Sequence, residues 1–284
     1  MYLRFSALKS SSVFGLVLAC GMVAAALLIA QPLAAQGPEA QTTATATTSS
    51  DSQALSLAAQ SVQALTRGAT VSDVTLTGTA TQTAGSWSST GQATFKALGT
   101  AKSRLDFAAS GQSEVRTLDT SGSPTGAWTK SDGVKHTMAL HNSFSDAAWF
   151  FPALTSLSAA SQAGVVAKYI GSETHNGIAV QHLRLWHTAD SSLAAIANVI
   201  PRLSTVDFYL DASTSLPVAL AFNAHSDNDM NTNITIEVRY SDYRAVSGVT
   251  VPFRVQKYLS NGLVMDFVAS TVAINSGLTD AQFN

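Results

Sequence analysis

Residues 71–107, VSDVTLTGTATQTAGSWSSTGQATFKALGTAKSRLDF, decide the fold because their apolar side chains recur at every second position. Val74, Leu76, Gly78 and Ala80 alternate with threonines, Ala93, Phe95 and Ala97 follow the same rhythm, and Ser103, Leu105 and Phe107 repeat it. Successive side chains of an extended chain point to opposite faces, so this period predicts strands with one buried and one wet side. The Gly85-Ser86 turn signal separates the first two runs. Connections this short suit antiparallel hairpins and leave no room for crossover helices.

Downstream, Gly111, Ser121-Gly122-Ser123-Pro124 and Ser131-Asp132-Gly133 punctuate further short strands. Beyond Gly164 the spacing predicts strands over Val165–Ile170, Ala179–His187, Val206–Leu210, Val218–His225, Ile234–Tyr240, Phe253–Leu259 and Leu263–Ile274, with Asn261-Gly262 as a strong hairpin signal. Three stretches break the rhythm. Leu55, Ala58, Val62 and Leu65 recur at helical spacing in Ala54–Leu65, and Arg67-Gly68 closes that pattern with a basic last turn and a glycine stop. Ser145–Gln162 (SDAAWFFPALTSLSAASQ) reads as a second helical element, and Ala-rich Ser191–Ile200 as a short third ahead of Pro201. Some ten or eleven strands with two or three helices give a mainly β (α+β) fold: a curled antiparallel incomplete β-barrel with helices covering its concave face.

The amino terminus has a different character. No charged residue lies between Lys9 and Glu39, and Val13–Ala30 is continuously apolar. With Arg4 and Lys9 before it and Gln31-Pro32-Leu33-Ala34-Ala35 after it, residues 1–35 are expected to be a signal peptide cut after Ala35. Eighteen residues at helical rise cover roughly 27 Å, so an uncleaved inner-membrane anchor is the alternative. Lipidation at Cys20, in a loose lipobox Val17-Leu18-Ala19-Cys20, is a third. Residues 36–53 carry no aromatic, Ile, Leu or Val and are expected to form a disordered Thr/Ala/Ser-rich linker, leaving 54–284 as one domain.

Composition narrows the chemistry. Loss of Arg4 and Lys9 with the leader moves the formal net charge from -2 to -4, which argues against a nucleic-acid partner. Cys20 is the sole cysteine, so the mature chain has neither a disulfide nor a thiol nucleophile. His136/His141 and His182/His187 are each spaced by five, which places the members of a strand pair on opposite faces rather than together on a metal. Asp227-Asn228-Asp229-Met230-Asn231 opens like a calcium loop but has Thr232 where the turn needs glycine and Val238 where a bidentate glutamate belongs, so it reads as a polar hairpin loop. Asp207 and Asp211 fall on the polar side of a strand and read as solvated face residues. No nucleophile elbow is present. The expectation is a protein with no catalytic residue, metal or cofactor.

What remains is apolar: Trp149-Phe150-Phe151-Pro152 with Leu154 and Leu157. On a helix three consecutive aromatics cannot share one face, so at least one is expected to line a ligand cavity or lid. A plain core helix is the competing reading.

Taken together the chain resembles the LolA/LolB/LppX-like group of periplasmic lipid and lipoprotein carriers over residues 54–284. The resemblance is carried by the helix Ala54–Leu65, the Trp149–Pro152 stretch, Asp207-Phe208-Tyr209-Leu210-Asp211 running to Leu216-Pro217-Val218, Tyr240-Ser241-Asp242-Tyr243-Arg244, Gly248-Val249-Thr250-Val251-Pro252 and the ending Leu278-Thr279-Asp280-Ala281-Gln282-Phe283. It implies an unclosed barrel over an apolar cavity with a helical lid, a non-enzymatic role in the periplasm or cell envelope, and a lipid or acylated protein as ligand, with membrane association allowed. Burial of an acyl chain in such a cavity contributes roughly 0.8 kcal/mol per methylene. The rival is an envelope scaffold or sensor domain that binds a protein partner through the same fold. An open apolar cavity favours the carrier, and a filled interior with an exposed patch favours the scaffold.

Overall fold

Threonine, valine and aromatic residues on a two-residue period form strands wherever the structure describes this chain. It is a computed structural model and describes residues 49–118, 122–189 and 191–284. The leader expected at 1–35, and residues 36–48 of the expected linker, lie outside these. Six strands form the first half: β1 (Asp73–Ala84), β2 (Trp87–Leu98), β3 (Lys102–Phe107), β4 (Gln112–Leu118), β5 (Pro124–Thr129) and β6 (Lys135–Thr137). Seven form the second: β7 (Val165–His175), β8 (Ile178–His187), β9 (Val206–Asp211), β10 (Pro217–Ser226), β11 (Asp229–Val246), β12 (Val249–Leu259) and β13 (Gly262–Ile274).

All thirteen belong to one antiparallel sheet in the order β6-β5-β4-β3-β2-β1-β13-β12-β11-β10-β9-β8-β7. Each neighbour is the next strand in sequence except at the centre, where β1 pairs with β13 from Val74↔Ile274 to Gln82↔Met265. The sheet does not close, and its edges are β6 and β7. Two-residue turns set the register. Ser260 and Asn261 both take positive φ between β12 and β13, and Ser247-Gly248 does the same between β11 and β12. Their twist matches that of the flanking strands.

The β1–β13 seam contains a bulge at Thr77/Gly78, and there the backbones touch. A Cβ on Gly78 would lie 2.1 Å from the Val268 carbonyl oxygen and 2.7 Å from Ala269 Cα. Both obstacles are main chain and cannot rotate away. Along each strand the inward side chains, among them Leu76, Phe95, Leu105, Leu183, Phe208, Leu220, Val238, Val255 and Phe267, form one core. Outward positions carry Thr, Lys, Arg, Asp and Gln.

The helical expectations need correction. Helix α1 (Ser52–Thr66) starts two residues before the expected Ala54 and buries Ala54, Ala58, Ser61 and Leu65, a seam turned by one residue from the expected Leu55/Val62 line. Small side chains on that seam let the helix backbone approach the sheet. Arg67 is the left-handed cap at φ 52° rather than part of a basic last turn. Ser145–Gln162 is not a helix. It contains two 3-10 turns, Pro152–Leu154 and Ser156–Ala159, because Pro152 has no N–H and holds Phe151 extended at φ -134°, ψ 95°. Ser191–Ile200 likewise gives a 3-10 stretch at Ser191–Ile196 followed by a single turn, α2 (Ile200–Leu203), which has Pro201 in its first turn where a missing N–H costs nothing.

Gly78→Ala is expected to part the central seam and lower stability by at least about 2 kcal/mol, the upper range for overpacking. Urea unfolding measures it, with Gly85→Ala as the control: a Cβ there meets nothing within 4 Å, though φ is +60°.

Candidate functional site

The two sheet edges are joined by residues 138–164, so this connection has to cross the concave face from β6 to β7. Hydrogen bonds pin it along the way. Asn142 donates from Nδ2 to the His225 carbonyl and accepts at Oδ1 from the His225 N–H, each at 2.8 Å. His141 Nε2–H donates to the Ser226 carbonyl at 3.0 Å. Ser145 Oγ accepts from Arg116 at 2.8 Å, and the Trp149 carbonyl accepts from the Tyr240 hydroxyl. Asp146 accepts from the Ser156 N–H and hydroxyl, tying the aromatic stretch to the 3-10 turns behind it.

Between these pins lie the residues expected to line a ligand cavity. Trp149, Phe150, Phe151, Leu154 and Leu157 are all buried and belong to the same core as the strands. The argument from a helical face does not survive, because the segment is not helical and all three rings turn inward. Phe150 lies 5.3 Å and Trp149 6.3 Å from Phe95, which stacks on Phe267 at 4.3 Å. The rings fill the hollow that the sheet encloses. A shallow hollow of about 320 Å³ lies elsewhere, lined by Gln92, Thr94, Asp106, Phe107 and Gln112, and meets the cluster through Phe107 on the edge of Phe95.

Three charged side chains reach this interior from the strands, and the sequence reading missed them. Glu114 and Arg116 lie on β4, opposite Leu105 and Ser103 of the inner face, and form an ion pair at 2.9 Å. Lys257 lies on β12 with its ammonium 4.4 Å from the Trp149 ring centroid. Burial works to raise the Glu114 carboxyl, but Arg116 and Lys257 outweigh it and hold the group down at about 2. Burial is also the main force lowering the Lys257 ammonium. Asp146 is pushed up by burial, against the pull of His187 and the Ser156 hydrogen bonds.

A second group of titratable side chains sits on the convex face. His182 is buried there, its Nε2–H donating to Asp207 at 2.8 Å and its Nδ1 3.1 Å from Glu173. Arg184 closes on the same aspartate, and His175 stacks on Tyr209 at 3.6 Å. Asp207 is therefore no merely solvated carboxylate: burial raises it, and bonds from His182 and Arg184 more than reverse that. Asp211 and Asp229 satisfy their own turns, Asp211 through Ser213 and Thr214, Asp229 through Asn231 and Thr232. No group of three metal-ligating side chains is found among the described residues.

By sequence alone the chain matches no family model and no curated relative. Its architecture matches solved structures. A domain of the outer membrane lipoprotein-sorting type from Vibrio parahaemolyticus has 15% identity and a TM-score of 0.54, over 82% of this chain and 96% of that one. A DUF1329 family protein from Desulfovibrio piger has 13% identity and a TM-score of 0.51, over 82% and 96%. A LolA superfamily protein from Nitrosomonas europaea has 13% identity and a TM-score of 0.50, over 81% and 97%. The fold is thus the LolA-like one, an open curled sheet around an inner face.

The depressed Glu114 pKa has a definite sign: its stabilisation is present above the unfolded-chain value near 4.5 and is lost as pH falls toward about 2. Glu114→Gln is therefore expected to destabilise the fold by about 1 to 3 kcal/mol at neutral pH, with wild type and variant converging only near pH 2 and below. Denaturant unfolding at stepped pH reads the difference.

Proposed function

We propose that this chain is a non-enzymatic binding or carrier protein of the cell envelope, taking a lipid or lipid-modified ligand against its concave face. The observation that carries the reading is the cover itself. In a LolA-like sheet with an apolar inner face, the space a ligand would occupy is filled by the chain's own 138–164 connection. Among its residues, 145–162 are held by 3-10 turns and a few side-chain pins rather than by an α-helical ladder. Such a cover can leave without unfolding a strand. Trp149, Phe150, Phe151, Leu154 and Leu157 are then the apolar wall that exchanges contact with the core for contact with an acyl chain. Residues 1–35 act as the export signal and 54–284 as the binding domain in this reading.

The described residues contain no helix long and apolar enough to cross a membrane. Exposed apolar side chains, among them Trp87, Leu118, Val134, Ile170 and Leu263, are spread over hairpin tips and both halves of the sheet. Of the features that separate the two readings, the filled interior is the one the scaffold asks for and the open cavity the carrier asks for is closed by the cover, so the carrier reading requires the cover to move aside.

Asn142 is the test position, because its paired bonds to the His225 backbone hold the entry end of the cover. The wild type is expected to take up a fluorescent fatty acid slowly and saturably, and Asn142→Ala to raise the initial uptake rate at least threefold. Stopped-flow fluorescence follows the rate and thermal melting the integrity of the fold. If neither protein takes up the probe, and native mass spectrometry of material from its own host finds no bound lipid, the scaffold or sensor role replaces the carrier.

A further inference from the structure

The interior has an electrical asymmetry that an apolar cargo alone does not explain. Its lining is aliphatic and aromatic, yet β4 and β12 place two cations and one carboxylate against it. Arg116 is 5% exposed and is committed to Glu114 through Nε and to Ser145 through Nη1. Glu114 is ionised, held so by Arg116 and Lys257. Lys257 makes no hydrogen bond among the described residues and rests only on the face of Trp149. Asp146, the other interior carboxyl, turns both oxygens to Ser156. On the strands two cations face the single carboxylate of Glu114, Arg116 also acts on Asp146 of the cover, and Lys257 alone has no hydrogen-bonded counter-ion among the described residues. Lys257 is half-buried and its ammonium still reaches water, so among the described residues the indole face is its one close protein contact and its three donors remain available to a ligand.

Both cations also touch the cover, Arg116 through Ser145 and Lys257 through Trp149. Withdrawal of the cover to admit a ligand removes these two partners at once and uncovers the cations beside the vacated apolar wall. The Trp149 indole N–H, buried and without a hydrogen-bond partner, is a further donor on the same segment. An acyl chain lying where Phe150 and Phe151 pack would bring its head near β4 and β12.

Resting on the carrier reading above, we propose that Lys257, supported by Arg116, receives the anionic head group of an acyl ligand, a carboxylate or a phosphate monoester. Glu114 fixes the guanidinium of Arg116 and prevents the site from holding two uncompensated cations when empty. The site therefore selects acids over neutral lipids of equal chain length.

Competition against a pyrene-labelled dodecanol bound to the whole mature protein at pH 7 tests the assignment, with dodecanoate, dodecyl phosphate and dodecanol as competitors. Wild type is expected to prefer both anions to the alcohol by at least tenfold, and raised salt should narrow that gap. Lys257→Met is expected to bring the three competitors within twofold while leaving dodecanol unchanged, and Lys257→Arg to restore most of the preference. The order of dodecyl phosphate and dodecanoate says which head group fits. Equal displacement by acid and alcohol in wild type overturns the head-group site and leaves the carrier reading standing. Failure of the pyrene probe itself to bind removes both. Should Lys257→Met melt well below wild type, the wild-type anion preference and its salt dependence decide the matter alone.

Discussion

One pairing organises the molecule: the first strand lies beside the last. With β1 hydrogen-bonded to β13, each half of the chain can only run outward as a meander, and the two free edges become the strands that follow each other in sequence, β6 and β7. The connection between them must then span the open side of the curled sheet. A sheet of this width with an apolar inner face cannot leave that face in water, and the chain resolves the problem with α1 and the 138–164 crossing. The close approach of backbones at Gly78 and Val268 sits at the heart of this seam, which is why a missing Cβ there matters more than in any hairpin turn.

The same closure leaves two edges to be protected. Strand β6 is only three residues long and offers little to a second chain. Strand β7 is long, and its first half is blocked from within: the Asp51 N–H donates to the Ala167 carbonyl, Ser50 Oγ accepts from the Ala167 N–H, and the Asp51 carboxylate accepts from the Tyr169 N–H and pairs with Lys168. Edge strands unprotected in this way invite pairing with other chains. The residues just ahead of α1 therefore do structural work that a Ser/Asp-rich composition does not announce.

Strands were legible because a two-residue period has one cause, the pleat, and no competing one. The hairpin between β12 and β13 was legible from Asn261-Gly262, although its turn residues are Ser260 and Asn261, one position earlier, and the strand expected at Val206–Leu210 runs one residue further to Asp211. The cover was misread as a helix because its composition is helix-leaning while Pro152 and the extended Phe151 cancel the ladder, and because sequence spacing does not say what the rings pack against. Inward charges were invisible for a related reason. In β4 the one clear apolar residue of Gln112–Arg116 is Val115, which lies opposite Arg104 on the outer side, so parity read from hydrophobicity points the wrong way. Lys257 carried a usable signal: it continues the inward series Val251, Phe253, Val255 two residues on. The partnership of Glu114 with Lys257 depends on the curl that brings β4 across from β12, which no local pattern encodes.

The distribution of charge then separates the two faces by role. On the convex side carboxylates and cations meet in pairs, Asp207 with Arg184, Asp266 with Arg254, Glu237 with Arg239. Such pairs across solvated strands add little net stability and leave nothing in deficit. Inside, the apolar lining is interrupted by the Glu114–Arg116 ion pair, by Asp146 bonded to Ser156, and by Lys257, whose ammonium lies over the Trp149 ring. Methionine at 257 would fill a similar volume beside Met265 and Trp149 without bringing a charge to the inner face. The lysine that stands there instead, half-buried over Trp149 where the cover meets β12, is the observation on which the proposed head-group site rests.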